Sequence, residues 1–411
     1  ATITLSDAGA TTGNANIGAY SLAAGNQTFT LGAASQNVTT ATGAIEVSTG
    51  SLADITDAAI NGNLATSLKI TVAANTDISD AVITGTENTQ DADYSIDIAT
   101  DADAITMSRA QNSLLGTVND GADATITLSD AGATTGNANI GTYALATAGG
   151  STFTLGADAQ SVTTGTDSGD TIDVGTRTAT GTFTTVAADT IKLGNGADVK
   201  GVDSGAGAGG AFTANNLSLA SGASVTMTAA QNNSFSGTIT AAGTETITIS
   251  DANDATGLAN IEAYSLAAGA QTFTLGAASQ NVTTATGAIE VSTGSLADIT
   301  DAAINGNLAT SLKITVAANT DISDAVITGT ENTQDADYSI DIATDADAIT
   351  MSRAQNSLLG TVNDGADATI TLSDAGATTG NANIGAYSLA AGNQTFTLGA
   401  ASQNVTTATG A

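Results

Sequence analysis

The chain of 411 residues carries 40 acidic and seven basic side chains, a formal net charge of −33, and contains no Cys, His, Pro or Trp. Without His or Cys, the usual base and thiol of nucleophilic catalysis are missing. The seven basic residues (Lys69, Arg109, Arg177, Lys192, Lys200, Lys313 and Arg353) are scattered, whereas a phosphate-binding surface needs them clustered.

In chain order, short runs alternate apolar and polar residues: Ile3 and Leu5 in TITLS, Phe29 and Leu31 in TFTLG, Ile45 and Val47 in AIEVS. Next come Ile70 and Val72 in KITVA, Ile96 and Ile98 in SIDIA, and Ile105 and Met107 in AITMS. A period of two in runs rich in β-branched residues, bounded by Gly, Asn, Asp or Ser, predicts short strands joined by turns. The one stretch with room for a helical turn is DITDAAINGNLA, near 54–65. No run of 18 apolar residues is present, so no spanning helix and no membrane insertion are expected. An apolar fraction of 41% argues against disorder.

Repetition dominates the sequence. ITLSD ends at Asp7, Asp130 and Asp374, and its variant ITISD ends at Asp251, which gives spacings of 123, 121 and 123 residues. Residues 27–123 recur unchanged as 271–367, and residues 1–44 as 368–411. The expected organisation is repeat 1 (1–123), a diverged repeat 2 (124–244), repeat 3 (245–367) and the start of repeat 4 (368–411), read as a fragment of a longer array. Such arrays are quasi-one-dimensional, each unit contacting mainly its neighbours.

The expected fold is all-β, a parallel β-solenoid (β-helix) built from these tandem repeats of about 122 residues, with small inward residues filling a narrow core. Five or so coils per repeat at about 4.8 Å give about 25 Å of rise. The alternative is a string of immunoglobulin-like β-sandwich domains, which would call for linkers and an aromatic core in each unit.

Two groups of carboxylates are candidate calcium ligands, because oxygen-rich acidic clusters suit that cation. In QDADYSIDIATDADA, Asp91, Asp93, Asp97, Asp101 and Asp103 share one side of an extended chain, opposite Tyr94, Ile96 and Ile98. The set recurs as Asp335, Asp337, Asp341, Asp345 and Asp347. The competing role is a solubilising face that blocks edge-to-edge pairing.

The diverged repeat lacks that stripe but has TDSGDTIDVG, with Asp170 two residues before Ile172 and Asp173 following, and LGNGADVK, with Gly194, Gly196 and Asp198. Over about residues 165–205 it resembles the nonapeptide calcium-binding repeats of the haemolysin type. It departs from them where Gly169 directly precedes Asp170 and where Lys200 fills an apolar position. That resemblance implies metal ligation by Asp170, Asp173 and Asp198. In its Ala, Thr, Gly, Asp and Asn richness, acidity and long near-identical repeats, the whole chain resembles repeat regions of large bacterial exoproteins and adhesins. The implied setting is extracellular, at the bacterial cell surface, in calcium-rich surroundings.

The function expected from these readings is a non-catalytic structural module of an extracellular fibre, sheath, surface layer or adhesin stalk, self-associating into fibres or layers. The alternatives are a calcium-dependent adhesive module and a carbohydrate-active β-helix. Polysaccharide or cell-surface ligands are conceivable partners and nucleic acid is not. Calcium is the one cofactor expected, and no enzymatic activity is.

Overall fold

The structure, a computed structural model, describes residues 1–72, 75–84, 94–99, 104–118, 124–167, 169–316, 319–329, 338–342, 348–362 and 368–409. It is a parallel β-solenoid of about 19 turns. The chain divides into two compact units, residues 1–192 with 201–207, and residues 193–200 with 208–411. The division falls inside the diverged repeat.

In the first unit, strands Thr2–Thr4, Ala19–Ser21, Asn37–Thr39, Ala59–Asn61 and Val82–Thr84 pair in that order as one parallel sheet. A second sheet runs Ala10–Thr12, Gln27–Thr30, Ala44–Ser48, Ser67–Val72, Tyr94–Ile98 and Leu115–Val118. Six strands thus lie within the first repeat, one per coil, where the sequence suggested about five. At about 4.8 Å each, the rise is about 29 Å per repeat. Neighbouring partners are 17 residues apart in the shortest of these coils (Thr2 and Ala19) and 26 in the longest (Leu68 and Tyr94).

The second unit repeats the arrangement. Ser224–Met227, Thr246–Ile249, Ala263–Ser265, Asn281–Thr283, Ala303–Gly306 and Val326–Gly329 form one sheet. Ala255–Thr256, Gln271–Thr274, Ala288–Ser292, Ser311–Val316, Tyr338–Ile342 and Leu359–Val362 form another.

Alternation along each strand decides which side chains enter the core. In SLKITV, Leu68, Ile70 and Val72 are buried while Ser67, Lys69 and Thr71 are partly exposed. Parallel register then stacks like on like. Phe29, Val47, Ile70 and Ile96 are successive partners at 0–1% exposure, and Phe273, Val291, Ile314 and Ile340 repeat that column. Burying one such side chain contributes about 1.5–3 kcal/mol. The few aromatics concentrate inside, in tilted pairs: Tyr20 with Phe29 and Tyr387 with Phe396 at 4.8 Å between ring centroids, Tyr143 with Phe153 and Tyr264 with Phe273 at 4.7 Å. Each repeat therefore carries a Tyr–Phe pair in one of its coils, although composition pointed to aliphatic filling.

The helical turns lie elsewhere than expected. Within 54–65 the chain forms the strand Ala59–Asn61. Helices occur instead at Arg109–Asn112 (α1), Ala229–Ser234 (α2) and Arg353–Asn356 (α3). Each follows a Met and a capping hydroxyl: Ser108, Thr228 and Ser352 accept from the backbone N–H of Gln111, Gln231 and Gln355, whose side chains reach back to the cap. This reciprocal capping box satisfies two helix-end donors at once. It starts a helix too short to show any apolar stripe.

Candidate functional site

The described members of the acidic stripe lie on strands. Asp97 sits between Ile96 and Ile98, both 0% exposed, and points to the opposite side. Lys69 Nζ lies 3.5 Å from Asp97 and 3.8 Å from Glu46, and the Thr71 hydroxyl donates to Glu46 at 2.6 Å. One cation is thus flanked by carboxylates from the coils on either side. In the second unit Lys313 Nζ meets Glu290 at 3.0 Å, and Asp341 occupies the outward position between Ile340 and Ile342. Asp91, Asp93, Asp101, Asp103, Asp335, Asp337, Asp345 and Asp347 lie outside the described residues.

The three candidates of the diverged repeat serve different ends. Asp173 faces outward, receives Lys192 Nζ at 2.7 Å and accepts from Gly175 N–H. Asp198 pairs with Lys200 Nζ at 2.7 Å and accepts from that residue's N–H. Asp170 is 0% exposed, and its two oxygens accept from the backbone N–H of Ser151 at 2.8 Å and Gly165 at 3.0 Å. Among the described residues, no three Asp or Glu side chains converge closely enough to hold a metal ion.

Two buried carboxylates escaped the sequence reading. Asp189, also 0% exposed, accepts from the Thr164 hydroxyl at 2.6 Å and from the N–H groups of Val186, Asp170 and Gly169 at 2.8, 3.0 and 3.2 Å. The signal was present: Asp-Thr-Ile occurs at 170–172 and again at 189–191, one coil apart. Glu245 is 0% exposed and accepts from the N–H groups of Ala242, Gly243, Thr244 and Gly222. Burial pushes its carboxyl up, but these four donors outweigh that and hold it below the ordinary value of 4.5.

The most regular polar feature is a glutamine at one corner of each repeat. Gln36, Gln160, Gln280 and Gln403 each accept from a glycine N–H in their own turn, at Gly32, Gly156, Gly276 and Gly399. Their amide nitrogens donate to two carbonyls of the preceding coil. For Gln36 these belong to Asn14 and Ile17, for Gln160 to Asn137 and Ile140, and for Gln280 to Leu258 and Ile261. Gln111 and Gln355, on α1 and α3, clasp Ile78 and Ala81, and Ile322 and Ala325, in the same way.

A tyrosine completes the corner. Tyr143 accepts from Asn137 N–H at 2.8 Å and donates to Asn112 Oδ1 at 3.0 Å, and Asn112 Nδ2 donates to Thr135 O. Tyr264 with Asn232 and Tyr387 with Asn356 repeat this bond. Burial pushes the Tyr143 phenol up to about 12, against the lowering effect of the Asn137 N–H.

Surface grooves are shallow. One in the first unit, about 390 Å³, is lined in part by Asn26, Thr28, Glu46, Ser67 and Lys69. One in the second unit, about 570 Å³, is lined in part by Asn260, Glu262, Asn281 and Asp301. No aromatic side chain lines either, and in a third groove of the second unit, about 550 Å³, the one aromatic is Phe235, which is 3% exposed. Every basic side chain in the sequence lies within 3.8 Å of a carboxylate. No protein-family model, curated protein or solved structure matches the chain.

Proposed function

We propose that the chain is a non-catalytic structural repeat module of an extracellular fibre, sheath, surface layer or adhesin stalk. The observation that carries this reading is the corner clasp. In successive repeats, buried Gln, Tyr and Asn side chains are spent on bonding one coil to the next, which serves a load-bearing stack.

Electron microscopy of the native material tests the proposal. Continuous fibres or layers with an axial period of about 29 Å are expected. Isolated particles with no axial period would overturn it.

A further inference from the structure

The identical blocks 27–123 and 271–367 pose a folding hazard, because any strand of one has a perfect substitute in the other. Out-of-register assembly is a characteristic failure of repeat proteins. The diverged repeat between them differs where mispairing is decided, in the interior of the stack.

Phe29 pairs with Val47, and Phe153 with Ile172. Two residues before Val47 stands Ile45, and two before Ile172 stands Asp170. In the next coil, buried Asp189 and Ile191 match buried Leu68 and Ile70. The apolar ladder Ile45–Leu68 of repeat 1, which recurs as Ile289–Leu312 in repeat 3, is thus replaced by two buried carboxylates. Those carboxylates fit each other's coils. Asp170 takes Ser151 N–H from the coil before, and Asp189 takes Asp170 N–H and the Thr164 hydroxyl. Thr40 and Thr284 fill the Thr164 position, and their buried hydroxyls find no partner among the described residues.

We infer that the Thr164–Asp170–Asp189 ladder is a register lock, which makes coils of the diverged repeat compatible only with one another and keeps the two identical blocks from exchanging strands. Against a coil of the identical blocks, Asp170 would face Gln27 in place of Ser151 and Asp189 would face Ile45 in place of Asp170. That leaves the Gly165 and Val186 N–H groups of their own turns as the donors that travel with them, and an interior charge short of donors is strongly disfavoured. Specifying register is the best-attested use of buried polar groups.

The absence of Cys gives a clean reporter. Ser21 pairs with Thr39 and Ser265 with Thr283, and adjacent parallel strands are close enough for a disulfide. In a chain carrying Ser21→Cys and Thr283→Cys, a bond between positions 21 and 283 within one molecule reports strand exchange. Oxidative refolding at high dilution is expected to give little of it in the otherwise native sequence. Several-fold more is expected when Asp170→Ile and Asp189→Leu are added.

A second chain, with residues 124–244 replaced by a copy of 1–123, contains only coils that already occur in this protein. It should show the same rise. Native-level cross-linking in that chain would overturn the inference, as would an Asp170→Ile/Asp189→Leu protein that loses stability while its cross-linking stays low.

Discussion

At the scale of single residues, the corner glutamines hold more of the fold than their surface-like chemistry suggests. Gln280 meets Gly276 N–H, Leu258 O and Ile261 O at 1% exposure. Leucine has similar bulk and none of these bonds, and each buried polar group left unmet costs about 1–3 kcal/mol. Gln280→Leu is expected to lower unfolding stability by at least that much, read from the midpoint of a denaturant titration. Glu245 gives the acid limb of stability. Its carboxyl sits below the ordinary value in the folded chain, so the stabilisation it supplies is complete above the unfolded-chain value. It is lost as pH falls through the folded one. The melting temperature of the native chain should therefore fall below about pH 4, and Glu245→Gln should flatten that fall. In the matching positions Ala124 and Ala368 are buried and apolar, which places this acid response at the start of repeat 3.

At the scale of elements, tight backbone approach is the constraint most exposed to mutation. A Cβ on Gly156 would lie 1.9 Å from Gly136 O, so Gly156→Ala must push two coils apart. Overpacking of this kind costs about 1–3 kcal/mol, measurable as a lower thermal midpoint, whereas Gly150→Ala meets open space and costs only its positive φ of 90°. Strands were legible in the sequence because alternation is a local signal. TITLS, KITVA and AITMS alternate, and they fold as alternating strands. The coil spacing was half legible, since 17- to 26-residue coils leave no fixed period to count. The helical turns were hidden because helices of four to six residues carry no periodicity, and their signal is the Ser/Thr-x-x-Gln cap in MSRAQN and MTAAQN. The acidic stripe shows a different limit. Alternation put Asp97 on the side away from Ile96, but only three-dimensional register reveals that Lys69 approaches it from the neighbouring coil. Asp189 was missed because a buried acid looks in sequence like any turn aspartate.

At the scale of the whole molecule, all seven basic side chains sit in the described strands, helices and turns and pair with carboxylates at 2.7–3.8 Å. Trypsin cuts only after those residues, and cleavage requires the backbone to open locally. The folded chain is expected to survive trypsin largely intact, while the same chain in denaturant is cut at all seven; gel electrophoresis distinguishes the two. Rapid digestion of the folded chain to small peptides would show that the coils open too readily for a load-bearing stack.

The unequal coil lengths carry a mechanical consequence. In parallel coils the ladder hydrogen bonds run along the stacking direction, so tension applied to the two chain ends meets them one coil at a time rather than all at once. Peeling a coil of 17 residues frees roughly 58 Å of contour and one of 26 residues roughly 88 Å, at about 3.4 Å per residue. A single-molecule pulling trace should therefore be a sawtooth of uneven teeth, whose order reads out the order of coils along the chain.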